Sequence, residues 1–337
     1  MLEQVTLDKY EKLDKPIEAL ANLVRVKYVP TFIRLKSEEE RLFGYADKLH
    51  LLDSEKKTIA IPLQYSKVYI EQYQYPNTRL SSVAKVSAKT QKAVESFRST
   101  VRKITDEALR AISELGISKD ESTKLYFGII TKMASIGNEN ALKALCELEE
   151  KGLITYNESK SIDTRSLNIE SKVEVLKGVA RKHAEFENLD IYAENAVAEA
   201  KLREMVIKDY LPIYYELKKY EEEIFEIVKN YNLAESGSVK VRTDYGNVYI
   251  GIYKEMGYSK YNAEEIKSVL INYGFSDSDF TAIDISSINR KASADKVYSR
   301  AIEILKNMGY AEYSRMRRIE IKAQDHKTGE EKKLLRN

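Results

Sequence analysis

The residues best suited to chemistry lie between positions 79 and 103, in the run RLSSVAKVSAKTQKAVESFRSTVRK. Arg79, Lys85, Lys89, Lys92, Arg98, Arg102 and Lys103 stand there against a single acid, Glu95, while the whole chain carries a net charge of only +2. Local concentration of cations, not global charge, is what a polyanion senses. The apolar spacing fits a helix-turn-helix. Leu80, Val83 and Ala84 mark one inner face and Ala93, Val94 and Phe97 the next, with a break at Val86-Ser87-Ala88. A recognition helix over 88–97 would place Lys89, Thr90, Gln91 and Lys92 at its N-terminal end, where side chains reach base edges in a major groove. Gln91 suits adenine and Lys92 suits guanine, Arg79, Arg98, Arg102 and Lys103 would hold phosphates, and Lys85 joins them among the DNA-binding residues. A solvated amphipathic helix pair is the alternative for the same pattern.

Other chemistries find no motif. His50, His183 and His326 are far apart, and none has a Cys or His at ligand spacing, so no metal site is expected. There is no GxxxxGK[ST], no GxGxxG and no GxSxG, and the carboxylates sit in Lys/Glu helical faces. Asp284, on an apolar run, is the one acid that stands apart, and a lone Asp is no active site. No catalytic residue and no cofactor are expected. The single cysteine, Cys146, lies in an apolar helical run and reads as a small core hydrophobe. One thiol cannot form an internal disulfide, which suits a reducing cytoplasm. No apolar run approaches a membrane span and no signal peptide is visible, so a cytoplasmic protein with no membrane partner is expected.

The elements that must position the basic run read as mainly α. A small mixed α/β piece covers 1–75, with a strand over 27–35, a helix opened by a Ser37/Glu40 capping box, and a segment after 57 whose later part has helical period. A helix-turn-helix helical domain covers 76–165. It has a helix starting at Thr105 and stopped by Gly116, a capping box at Ser118/Glu121, and a helix over 141–150 that buries Leu142, Leu145 and Leu148 and ends at Gly152. Long helices fill 166–235, with Pro212 expected to kink one. A C-terminal α+β module covers 236–322, with a turn at 244–247 and strands over 281–286 and 318–322, followed by a linker-like tail over 323–337. The pairs Gly257-Tyr258, Gly274-Phe275 and Gly309-Tyr310 look like shared helix endings and hint at an internal repeat. Arg315, Arg317 and Arg318 form a second basic cluster.

The order of these pieces resembles ParB-type DNA partition proteins, in an archaeal plasmid form given the Lys- and Tyr-rich usage. VPTFIRLKSEEERLFGYADKLH is similar to that family's strand-then-helix piece, and PLQYSKVYIEQY to the helix before its helix-turn-helix. DEALRAISELGISKDESTKLYFGIITK and ALKALCELEEKGLITYNES are similar to the helices behind it. The resemblance spans residues 5–165. Where the family has its nucleotide box, this chain has Asp14, Lys15, Pro16, Ile17, Glu18, Ala19 and Leu20. Near its second phosphate element stand Lys48, Leu49 and Leu52. Neither set holds a triphosphate, so the resemblance implies binding without a nucleotide switch. It implies a DNA segregation role, with DNA contacted directly or through a centromere-binding protein. A ParA-type ATPase would be a partner, and the chain would form a homodimer or higher-order assembly. A helix-turn-helix transcriptional regulator or replication initiator is the alternative, and an adaptor docking on a coated centromere is a third reading.

Overall fold

A computed structural model describes residues 15–52, 58–64, 66–78, 90–168, 195–234, 237–292, 294–324 and 331–333. In chain order the described elements are α1 (Val29–Lys48), β1 (Thr58–Pro62), β2 (Ser66–Thr78), α2 (Gln91–Ser113), α3 (Lys119–Ser122), β3 (Thr123–Leu125), α4 (Gly128–Ser135) and α5 (Glu139–Glu150). They continue with β4 (Ile154–Asp163), α6 (Asn195–Met205), α7 (Leu211–Asn230), β5 (Ser238–Thr243), β6 (Gly246–Tyr258), α8 (Ala263–Asn272), α9 (Asp277–Phe280) and β7 (Thr281–Ile283). Last come α10 (Ile285–Ala292), α11 (Lys296–Asn307), β8 (Ala311–Gln324) and β9 (Glu331–Lys333). Three small sheets have the orders β1-β2-β8-β9, β3-β7 and β4-β6-β5. The expected mainly α, ParB-like fold is therefore overturned: the chain is mixed α/β, with antiparallel pairing throughout the described strand pairs.

Two compact units emerge, and neither follows chain order. One draws on 1–72, 158–255 and 317–337, the other on 73–157 and 256–316. Strands β2, β4, β6 and β8 each run from one unit's range into the other's.

In the first unit α1 packs against α7. The expected strand over 27–35 is helical instead. Val29, Thr31, Ile33, Leu35 and Ser37 are buried in strand-like alternation, and Glu38, Arg41, Leu42, Tyr45 and Ala46 at helical spacing, on a helix contacted by both α6 and α7. Pro30 lies within a helix that continues from the turn before it, and that turn absorbs the missing N–H. A π-helical segment, Leu23–Tyr28, precedes it, and the Val29 N–H donates to the Val24 carbonyl. Pro212 is handled the same way. It opens α7 after the π turn Val206–Tyr210, with the Leu211 N–H donating to the Val206 carbonyl. Ser37 caps nothing: it lies inside α1, buried, with no hydrogen-bond partner for its hydroxyl.

The segment after 57 is a hairpin rather than a helix, with Ile59 opposite Ile70 and Ile61 opposite Val68. All four are buried, and the period is two. The expected turn at 244–247 is present, with Thr243 paired to Gly246. The tail is not all linker, since Lys322 to Gln324 pair with β9.

The second unit holds one core, in which Ile112, Ile129, Ile130, Leu148, Leu270, Phe280, Ile288 and Leu305 are wholly buried. Thr105 does not start a helix. It is buried inside α2, which runs unbroken for 23 residues. The stops at Gly116, Gly152, Gly274 and Gly309 hold, each with positive φ as a C′ residue requires. Gly257 ends no helix and lies within β6. Cys146 is exposed rather than core, and Leu142 is 44% exposed.

Candidate nucleic-acid interface

Helix α2 begins at Thr90, whose hydroxyl accepts from the Ala93 N–H at 3.3 Å. Its inner face is Val94, Val101, Thr105, Ala108 and Ile112. Thr90, Gln91, Lys92 and Lys103 are exposed. Arg98 and Arg102, one turn apart, do not face solvent alone. Both guanidiniums reach Asp279, whose side chain is fully buried at the end of α9. Arg98 pairs in the two-pronged fashion through Nε and Nη2. Arg102 Nη2 lies 2.7 and 2.6 Å from the two carboxylate oxygens. Asp279 also accepts from the Ser276 N–H at 2.9 Å, closing a capping box. Burial pushes the Asp279 carboxyl up, but Arg98, Arg102 and Ser276 outweigh it and hold it well below the usual carboxylate range. The same hydrogen bond to Asp279 raises Arg98. Two of the expected phosphate contacts thus hold α2 onto α9. Arg79, Lys85 and Lys89, with the first half of the expected helix-turn-helix, lie outside the described residues. In the part described, the run belongs to one long helix.

Among the described residues two helix-turn-helix pairs are found elsewhere. The first is α4–α5, joined through Ile136, Gly137 and Asn138, where Gly137 has φ +82° and the Asn138 side chain accepts from the Ala141 N–H at 3.0 Å. The second is α10–α11, where the Asp295 carboxylate accepts from the Val297 N–H at 2.8 Å. Buried faces pin each pair: Ile129, Ile130, Met133, Ala141, Ala144 and Leu148 in one, and Ile285, Ile288, Tyr298, Ala301, Ile302 and Leu305 in the other. Each pair follows a helix and a short strand and precedes a long strand. In DNA-binding helix-turn-helix proteins the second helix of such a pair is the one presented to a groove.

The two second helices carry opposite charge outward. On α11, Lys296, Ser299, Arg300, Glu303 and Lys306 are exposed. Among the described residues neither Lys296 nor Arg300 has a carboxylate partner. On α5 the exposed residues include Glu139, Lys143, Glu149 and Glu150, and Lys143 lies 3.6 Å from Glu139. Glu147 is engaged by Lys151 at 2.8 Å and by the Tyr273 hydroxyl at 2.8 Å, and these bonds lower its carboxyl pKa.

Sequence reasoning passed over Lys296 and Arg300 because their local charge density is ordinary. The readable signal was an Asp N-cap followed by cations four apart on the outer face of an amphipathic helix. In the second basic cluster Arg317 and Arg318 are in ion pairs, and the Arg315 side chain lies outside the described residues. Arg317 meets Asp47 at 2.5 Å, and Arg318 meets Glu71 and Glu320. Asp284 accepts from the Ser287 N–H at 3.2 Å and lies 3.6 Å from Lys124, a helix-capping role.

A concavity of about 440 Å³ in the second unit is lined by lysines that are largely matched. Lys124 faces Asp284, Lys267 faces Glu264, and Lys291 faces Glu121. It offers little net field for an anion. Among the described residues no group of three His, Cys, Asp or Glu side chains could hold a metal ion, and no helix is long and apolar enough to cross a membrane. No known protein family, curated protein or solved structure matches the chain.

Proposed function

We propose that this chain is a DNA-binding protein that reads a duplex through the helix pair α10–α11. The observation that carries this is Lys296 and Arg300, one turn apart and unopposed by carboxylates, at the N-terminal end of the second helix of a helix-turn-helix. Arg300 suits guanine and Ser299 is neutral as to base. Gln91, Lys92 and Lys103 are exposed cations and amides on α2 that would add backbone contacts. The resemblance to partition proteins supplies the setting: DNA segregation in the cytoplasm, with a ParA-type ATPase as partner. The strand-then-helix piece of that resemblance is a single helix here, so DNA binding is the primary claim and segregation the dependent one.

Lys296→Glu with Arg300→Glu should lower affinity for duplex DNA at least tenfold and flatten the dependence of log affinity on log salt. Equal affinity and slope for the variant would reject the assignment. An adaptor role is favoured by a different observation, the engagement of Arg98 and Arg102 by Asp279. It predicts that DNA is retained only when a centromere-binding protein is added, which pull-down with and without that protein measures.

A further inference from the structure

The order of elements occurs twice. Helix α1, hairpin β1–β2, helices α2 and α3, strand β3, pair α4–α5 and strand β4 are followed by α7, β5–β6, α8 and α9, β7, α10–α11 and β8 in the same sequence. Several lengths agree: α1 and α7 have 20 residues each, β2 and β6 have 13, α4 and α10 have 8, and α5 and α11 have 12, while α2 with 23 residues is longer than α8 with 10. The sequence keeps traces. Tyr28, Pro30, Leu35, Lys36, Glu39, Glu40 and Phe43 recur in step as Tyr210, Pro212, Leu217, Lys218, Glu221, Glu222 and Phe225. Gly116 and Ser118 recur as Gly274 and Ser276, both Ser residues closing capping boxes.

Side-chain geometry repeats as well. Tyr28 stacks on Phe32 at 6.1 Å and Tyr210 on Tyr214 at 6.0 Å. Lys36 pairs with Glu39 and Lys218 with Glu221, each at 2.5 Å. Those lysines lie over Phe32 and Tyr214, each 5.7 Å from the ring centre. The two prolines follow π turns closed by equivalent bonds.

The copies also meet as the halves of a symmetric dimer do, residue i on j and j on i. In the second unit β3 and β7 are equivalent strands and pair antiparallel about their own middles. Thr123 faces Ile283, Lys124 faces Ala282 and Leu125 faces Thr281. The flanking bonds are reciprocal: the Tyr126 N–H donates to Phe280 O and the Asp284 N–H to Ser122 O, both at 2.7 Å. Lys119 and Asp277, which are equivalent positions, form an ion pair with one another. In the first unit the equivalent residues Arg34 and Glu216 face each other at 3.6 Å. A position on a dyad meets its own copy, so in a homodimer it would meet like charge; here opposite charge has replaced it. Each hairpin takes its third strand from the other copy, β8 beside β2 and β4 beside β6.

We infer that the chain is a fused pseudo-dimer of two strand-swapped copies, in which only the second copy keeps a DNA-facing head, so that one chain takes a single, non-palindromic half-site. The DNA part rests on the function proposed above; the fusion does not. The loss of one head follows from substitutions at matched positions. Aligned on the caps Asn138 and Asp295, Glu139 stands where Lys296 does and Glu149 where Lys306 does; Lys143 stands where Arg300 does, but lies 3.6 Å from Glu139 and is matched by it. Carboxylates at groove-facing positions repel phosphates. An ordinary helix-turn-helix dimer reads a palindrome because both heads are alike, and these two are not.

The test uses the full chain with a specific protease site placed within 169–194. Light scattering should give one chain per particle, 38.8 kDa. After cleavage the two pieces should co-elute until denaturant is added. A stable dimer of full chains, or pieces that part under native conditions, would overturn the fusion. A random duplex library should then return a motif without a dyad, bound one chain per duplex. Lys296→Glu with Arg300→Glu should lose at least tenfold in affinity, and Asn140→Ala with Lys143→Ala should stay within twofold, both with unchanged melting curves. A palindromic motif, or a tenfold loss from the α5 variant, would overturn the single head. Retention of no duplex at all would overturn the DNA reading, with the fusion still decided by mass and co-elution.

Discussion

Asp279 decides what two arginines do. With Arg98 and Arg102 on it and its side chain fully buried, removing it leaves two guanidiniums whose best partner is gone. Asp279→Ala should cost about 3 kcal/mol, the low end for breaking a buried pair, because both arginines still reach water. Chemical denaturation at pH 7 measures it, and a loss below about 1 kcal/mol would mean the cluster is a mere surface pair. The pH dependence has a definite sign. The folded-state pKa of Asp279 is depressed, so its contribution is present above the unfolded value of about 4 and disappears as pH falls through the folded value. Wild type should lose stability over that acid range more steeply than Asp279→Asn, as paired denaturation curves would show. Charge on Arg98 and Arg102 was legible in the sequence, but their partner lies 181 and 177 residues away, beyond any local pattern.

The π turns before Pro30 and Pro212 show how an element accommodates its own breaker. A proline inside an α-helix clashes with the carbonyl four residues back and leaves it unpaired, at roughly 3 kcal/mol. Widening the preceding turn by one residue removes the clash while α7 still buries Leu217, Ile224, Phe225 and Val228. A π turn is one residue inserted into an α-helix. Deleting exposed Lys208 together with Pro212→Ala should therefore yield a regular helix with both faces kept, melting within a few degrees of wild type. Deleting exposed Lys219 should rotate everything after it by about 100° and abolish a cooperative melt. Equal tolerance of the two deletions would contradict the packing of α7. Sequence alone showed that Pro212 interrupts something; which turn absorbs it depends on the buried stripes of α1 and α7 meeting.

At the scale of the molecule, each compact unit is assembled from distant stretches, so neither can be completed by a contiguous piece of chain. Ending the chain at Tyr310 would remove β8, the strand beside β2 in the order β1-β2-β8-β9. Amide exchange at Val68 and Ile70, both wholly buried, should then accelerate by at least tenfold, although the cut lies 240 residues away from Ile70 on the chain. Protection equal to wild type would mean that the hairpin stands without β8.

Local devices were readable because their physics is local. Gly116, Gly152 and Gly309 end helices through their own backbone freedom, Ser118 and Glu121 cap one another across three residues, and Asp244-Tyr245 turns a hairpin. Helix or strand over 27–35 was not readable, because a segment rich in β-branched residues suits either state until something covers it, and α7 does. The run from 79 to 103 announced cations, but only packing against α9 assigned Arg98 and Arg102 to Asp279. Lys296 and Arg300, whose own neighbourhood in the sequence is unremarkable, are set outward by the burial of Tyr298, Ala301, Ile302 and Leu305 on the other side of α11. Caps, turns and stops of this kind were thus determined by the sequence itself, since neighbours in the chain supply both partners, except where packing overrode them and buried Ser37 and Thr105 inside helices or drew Gly257 into β6. Strand swaps, the pairing of equivalent residues and the identity of the outward cations were decided by tertiary structure, since there the partners are brought together only by folding.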